Sequence, residues 1–257
     1  MHIDISFIES NTATFIGSVV TSIGKWDPTT AIHVQPWEDA VTTVAGERYP
    51  FNHVGGVIRS ANLAQIYADY PTLTVPFVIE CAPACQTTQD FIAFRDFGLR
   101  PFSSSVVLVY DASTHVPRIP QSNLVWSTAE APELSTDYLP TDAERILRRA
   151  YGSQSEATIV SLLHSDGMIA SAGIRIVEGY AFCFGAWVAP HRRRRGHYAT
   201  LLDARLWYAR QQGCHTVLIQ TQARTAVAYA AQERGFTYGW ERQRWIKRIQ
   251  PHPKEHL

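Results

Sequence analysis

Gly185-Ala186-Trp187-Val188-Ala189-Pro190-His191-Arg192-Arg193-Arg194-Arg195-Gly196-His197-Tyr198-Ala199-Thr200-Leu201-Leu202 is the stretch on which the reading of the chain turns. An apolar strand ends at Val188, Pro190 turns the chain, and a basic, glycine-containing loop opens into a helix. Backbone N–H groups at a helix N-terminus lack intrahelical partners and carry the positive end of the helix dipole, so they can hold a phosphate. Gly196 lets that backbone approach closely, and the guanidiniums beside it add charge-assisted hydrogen bonds. A solvated arginine cluster beside a helix start is the plainer alternative. Arginine there opposes the dipole, however, and costs stability unless an anion neutralises it.

Outward from this stretch the second half reads as alternating elements. Thr141–Tyr151 is expected as a helix, with Thr141 and Glu144 in capping-box spacing. Thr158–Leu163 and Met168–Val177 are strands joined by the turn Ser165-Asp166-Gly167, and Tyr180–Val188 is a third, set off by Glu178-Gly179. A helix over about His197–Gln212 ends at Gly213. Then come a strand at Thr216–Gln220, a helix at about Thr225–Arg234 stopped by Gly235, and a last strand at Trp240–Ile246.

Arg193-x-x-Gly196-x-Tyr198, after a strand ending Trp187-Val188-Ala189-Pro190 and before Leu201-Leu202, resembles the acyl-CoA loop of the GCN5-related N-acetyltransferases (GNAT), whose pattern is Gln/Arg-x-x-Gly-x-Gly/Ala. The tail from Ala226 to Trp245 is similar to the closing segment of that family, so the resemblance covers about residues 140–247. It implies an α/β fold with a mixed sheet splayed between Tyr180–Val188 and Thr216–Gln220, flanked by helices. The pantetheine arm would pair with backbone at Ala186, Trp187 and Val188. The pyrophosphate would sit on the loop, giving Arg193, Arg194, Arg195, Gly196, His197, Tyr198, Ala199 and Thr200 as the remaining donor-binding residues.

Two positions depart from the family pattern. Tyr198 replaces its second small residue, and its ring either crowds the pyrophosphate or turns away while its N–H still donates. Many members place a tyrosine four residues before the closing glycine as general acid; here Ala231 stands there. The nearest tyrosine, Tyr229, is about 200° around the helix and remains the candidate acid against a packing role. A general base reached through water is expected to be a carboxylate or histidine. Glu178 is the candidate, with His164, Asp166 and His197 as turn or helix-start alternatives. Phe184 and Trp187 line the acceptor side or the core.

In the first half, a helix at about Phe7–Ile23, a helical pattern at Arg59–Tyr70, a strand at Leu73–Glu80, a helix at Thr88–Phe97 and a strand at Ser103–Tyr110 are expected. Four prolines mark Ala112–Pro140 as a linker. Phe97-Gly98-Leu99 and Arg234-Gly235-Phe236 lie 137 residues apart in the same local order, which suggests a duplicated fold whose first copy lacks the arginine run. His53-Val54-Gly55-Gly56 reads as a turn, and no catalytic constellation is visible in this half. The expected division is a degenerate GNAT-like N-terminal domain over 1–120, a linker over 121–140 and an acyltransferase domain over 141–250.

Composition sets the outer bounds. The 257 residues carry 23 basic and 23 acidic side chains, and 46% are hydrophobic, as in an ordinary globular protein. The balance is a cancellation: residues 1–120 hold six basic and eleven acidic groups, the rest seventeen and twelve. An anion site therefore belongs to the second half. Cys81, Cys85, Cys183 and Cys214 do not form a zinc signature, so no metal is expected. Neither a secretory leader nor an 18-residue apolar run is evident, and a cytoplasmic protein, monomeric or homodimeric and without a membrane partner, is the expectation. The function implied by the resemblance is transfer of acetyl from acetyl-CoA to a primary amine of a small molecule or peptide by direct attack. Aminoacyl-tRNA as donor on the same fold, or a non-catalytic CoA- or partner-binding module, are the alternatives.

Overall fold

Asp4 starts the first helix of the computed structural model by accepting a hydrogen bond from the Phe7 N–H (3.0 Å). The structure describes residues 3–45, 51–70, 76–113, 123–127, 142–165 and 167–247. The expected cap at Thr141, the turn residue Asp166 and the first residues of the strand expected at Leu73–Glu80 lie outside them, as does the side chain of Glu144. The chain forms two compact units: residues 1–104 with 241–257, and residues 105–240.

The first unit contains α1 (Ile5–Trp26), β1 (His33–Pro36), β2 (Ala40–Val44), β3 (His53–Gly56), α2 (Leu63–Asp69), β4 (Phe77–Cys81) and α3 (Thr88–Asp96). It also takes in the start of β5 (Arg100–Asp111) and the end of the last strand, β11 (Thr237–Lys247). β1, β2 and β3 are antiparallel, β3 and β4 parallel, and β4 and β11 antiparallel. Ile58, Leu63, Ile66, Phe94, Leu99 and Trp245 are among its buried apolar side chains. The helical pattern expected over Arg59–Tyr70 is interrupted: Ser60–Asn62 is a 3-10 turn and α2 has only seven residues. Ser60 spends its N–H on Asp90 (2.7 Å) rather than on a helical ladder.

The second unit holds β6 (Leu124–Ser127), α4 (Asp142–Gly152), β7 (Ala157–His164), β8 (Gly167–Val177), β9 (Tyr180–Val188), α5 (His197–Gln211), β10 (Thr216–Thr221) and α6 (Ala226–Gln232). Its strands run β6-β7-β8-β9-β10-β5, with only β9 and β10 parallel. β6 lies within the stretch expected as linker, and pairs Leu124–Ser127 with Leu162–Ile159. The boundaries thus fall elsewhere than at 121–140. Arg234 clamps α6 to α5 through Asp203 (2.6 and 3.2 Å), a pair mostly withdrawn from water. Asp203→Ala is expected to lower stability by about 1.5–3 kcal/mol, seen as a lower denaturant midpoint at unchanged m.

The 137-residue echo is structural. Gly98 and Gly235 both adopt positive φ (84° and 90°). After them, Leu99 donates to Phe94 (2.9 Å) and Phe236 to Ala231 (3.2 Å), the same helix-closing bond. Both following side chains are buried, and β5 and β11 begin at once. The two copies exchange these last strands: β4 pairs with β11 (Phe77 opposite Lys247), and β10 with β5 (Thr216 opposite Asp111). Each compact unit is therefore completed by a strand from the other half of the sequence. Among the described residues no helix is long and apolar enough to cross a membrane.

Candidate functional site

Two irregularities in β9 make the site. Its parallel pairing with β10 runs from Tyr180 to Cys183 and stops, although β9 continues to Val188. This is the expected splay. On the other edge the β8 ladder shifts register: Ser171 faces Trp187 and Gly173 faces Phe184, so Gly185 and Ala186 together oppose one residue. That is a β-bulge, and Gly185 takes the positive φ (56°) it needs. Gly185 and Ala186 are exposed. Backbone N–H groups here are released from one-to-one pairing and can serve a ligand.

Beside the end of β9, a 3-10 turn (Pro190–Arg192) leads into the basic loop. Arg193 donates from Nε to the Val188 carbonyl (3.2 Å), tying the loop to the strand. Arg194 and Gly196 both have positive φ (62° and 83°), and Gly196 is the N-cap of α5 without a side-chain cap. The strain at Arg194, a non-glycine residue, is of the kind that clusters at ligand-binding loops. Arg193, Arg194, Arg195 and Gly196 are exposed, with His197, Tyr198, Ala199 and Thr200 following half-buried. No side chain caps the N–H groups of this first turn.

The ring of Tyr198 turns inward. It packs with Cys183 against the core of the second unit, and the buried Arg205 guanidinium lies 5.7 Å from its centroid. The replaced small residue therefore adds bulk to the core and not to the loop. In the first unit the chain after β3 instead buries Val57 and Ile58 and passes into the short Ser60–Asn62 turn. The single arginine there, Arg59, donates to the Cys85 carbonyl (2.9 Å).

His197 opens α5. Burial lowers its pKa, and Arg195, Arg192 and His164 lower it further. An anion bound on the loop offsets the arginine charge and raises that pKa, so binding takes up a proton and tightens as the pH is lowered. Calorimetry in two buffers of different ionisation heat is expected to show greater proton uptake for the wild type than for His197→Gln.

The two expected catalytic side chains are not brought to the bulge. Glu178 is exposed in the turn before β9 with φ 47°, and seven residues of chain separate it from Gly185. The five strand steps from Tyr180 to Gly185 alone span roughly 16 Å. Tyr229 is 56% exposed, whereas the buried face of α6 is Ala228 and Ala231, so no tyrosine hydroxyl stands on the inward side.

What the sequence reading missed is a cleft of about 180 Å³ beside the bulge. Leu147, Arg148 and Tyr151 of α4 face Ile159, Phe184 and the Gly185–Trp187 backbone across it. Tyr151 packs on Phe184 (4.8 Å between centroids), and burial pushes its hydroxyl pKa well up. Arg148 donates to the buried hydroxyls of Ser171 and Ser161 (3.0 Å for the latter). None of the residues lining the cleft is a carboxylate or a histidine. A charged residue beside the apolar Leu147 and Tyr151 of one helix face was the available signal. Among the described residues no group of three or more potential ligands is placed to hold a metal ion.

Residues 123–236 match the model of a family described as the acetyltransferase (GNAT) family. No curated protein matches the chain. Among solved structures it is similar to a GCN5-related N-acetyltransferase from Kribbella flavida (TM-score 0.58, 11% identity, 93% of this chain and 96% of that one). A second, from Sphaerobacter thermophilus, gives 0.53 at 15% identity over 93% and 92%. A tandem GNAT protein from the clavulanic acid biosynthesis pathway gives 0.60 at 12% identity over 94% and 95%. At these identities the likeness is one of fold.

Proposed function

We propose that the protein, whose residues 123–236 match the acetyltransferase (GNAT) family model, moves an acetyl group from acetyl-CoA to a primary amine by direct attack in a ternary complex. One observation carries the reading: the unpaired, bulged end of β9 lies beside the uncapped, arginine-flanked start of α5. The pyrophosphate would rest on the N–H groups of His197, Tyr198 and Ala199, with Arg193, Arg194 and Arg195 beside it. The pantetheine arm would pair along Ala186, Trp187 and Val188 in the splay. Backbone N–H groups at the bulge would steady the negative charge that develops on the thioester oxygen. Phe184 and Tyr151 would wall the acceptor side.

Among the described residues lining the cleft there is no carboxylate or histidine, so the enzyme would contribute chiefly alignment and oxyanion stabilisation. The amine would enter deprotonated, with bulk water taking its proton. The acetyl-CoA reading is favoured over aminoacyl-tRNA because the Tyr198 ring is turned into the core, leaving the loop backbone open to a pyrophosphate.

Thiol release measured with acetyl-CoA and a panel of amines tests this. Amine-dependent release of free CoA is the expected result. Stabilisation by acetyl-CoA without release for any amine favours a binding module. Absence of stabilisation together with salt-steep tRNA binding favours the tRNA donor.

A further inference from the structure

Arg148 is a half-buried cation to which the described residues supply no counter-ion. Arg175, Arg234, Arg242 and Arg244 each donate to a carboxylate (Glu156, Asp203, Glu9 and Glu80, at 2.5–2.8 Å). Arg148 has only hydroxyl partners, Ser171 and Ser161, both fully buried. Among the described residues no carboxylate pairs with it. Burial lowers its pKa to about 10, which leaves it charged at neutral pH. The two hydroxyl bonds use two of its five N–H donors. It lines the cleft, whose other walls are apolar.

Burying a charge costs heavily unless it is paired, and serine hydroxyls compensate only part of that cost. Arg205 is buried in the α5 core against the Tyr198 ring and is not among the residues lining this cleft. Arg148 is the cation that this cleft offers to a ligand. Its anchor fixes where that ligand sits: Ser171 pairs directly with Trp187, the residue that follows the bulge. Directly opposed strand residues lie about 4.5–5.5 Å apart. An anionic group held by Arg148 is thus only a few bonds from an amine presented at the bulge.

We infer that Arg148 is the carboxylate-recognition residue of the acceptor cleft, and that the acceptor is a primary amine bearing a carboxylate close to the amino group, as in an amino acid. This specificity rests on the acyl-transfer reading above. A planar guanidinium with free donors matches a carboxylate in a two-point bond, and the apolar walls strengthen it. The amide of the same amino acid would leave the buried charge unpaired.

The test compares glycine, L-alanine and L-glutamate with glycinamide and L-alaninamide, using acetyl-CoA as donor. The acids are expected to exceed the amides in kcat/KM by about 100-fold or more, mostly through KM. Arg148→Gln should erase the preference, while Arg148→Lys keeps part of it; both should retain stabilisation by acetyl-CoA, which shows that they fold. If Arg148→Gln does not fold, Arg148→Lys and Ser161→Ala take its place, each expected to narrow the preference. Equal use of acids and amides, or an undiminished preference in the folded variants, overturns the inference. A preference for succinyl-CoA over acetyl-CoA with a neutral amine, removed by Arg148→Gln, also overturns it by placing the carboxylate on the donor. Binding is read separately, as the melting shift that each acid or amide adds to the CoA-saturated protein. If no amine is acylated yet the acids alone add a shift that depends on Arg148, acyl transfer fails and the carboxylate site stands. If amines are acylated and no such shift or preference exists, the reverse holds.

Discussion

Gly196→Asp is expected to weaken acetyl-CoA binding by about 100-fold or more, like charge against like charge costing several kcal/mol. The argument is one of charge rather than space. A Cβ at Gly196 would meet nothing within 4 Å, and only its φ of 83° favours glycine. Aspartate tolerates that left-handed region better than most side chains, so the fold should survive. Its carboxylate, however, arrives at the uncapped N–H groups of α5 and among Arg193, Arg194 and Arg195. It would occupy as an internal anion the place meant for the pyrophosphate. Gly196→Asn carries the same shape without the charge and should lose about tenfold or less, because a shape-conserving swap removes no cation or donor. Binding isotherms of the two variants separate strain from charge, and equal losses would put the site elsewhere.

Arg242→Met is expected to cost about 3–5 kcal/mol, the range for stranding one partner of a buried ion pair. Arg242 is 5% exposed and donates from Nε to the 2% exposed Glu9 at 2.8 Å. The pair joins α1 to the strand that the C-terminal segment contributes to the first unit. Glu80 sits in the same network; burial alone would raise its pKa, but His53, Arg244 and Arg242 outweigh that and hold it at about 2. His53 is itself kept neutral by burial, so at pH 7 the arginines carry the effect. Denaturant melts at pH 7 measure this. A loss below about 1 kcal/mol at pH 7, the size of an exposed pair, would show that β11 does not lock the unit as described.

Most of what the sequence conveyed lies where local chemistry determines structure. The strand ending at Val188, the basic loop and α5 were legible because proline, the arginine run and Gly196 act over a few residues. The helix stops at Gly98 and Gly235 were legible for the same reason, and they carried the duplication. Long-range pairing was not. β6 has four residues and meets its partner, β7, across a stretch of prolines and polar side chains, so it read as linker. The exchange of β5 and β11 has no local signature, since an apolar strand carries no mark of which neighbour it will pair with.

Site chemistry divides the same way. The basic loop is contiguous in sequence and was legible; the cleft beside the bulge is assembled from α4, β7 and β9 and was not. Arg148 is inconspicuous beside Arg149, and only the two serines that β7 and β8 bring to it set it apart. Glu178 was chosen because it precedes the right strand. Strand geometry then carries it to the end away from the bulge. Tyr229 failed by helical phase, two residues from the inward position that Ala231 occupies.

Titration of the purified protein with acetyl-CoA by calorimetry reads the central claim most directly. One site per chain is predicted, with a Kd of about 1–100 μM, inside the usual range for enzyme substrates, and loss of that heat in Gly196→Asp. No heat and no melting shift with acetyl-CoA or free CoA, or equal binding by Gly196→Asp, would contradict the account.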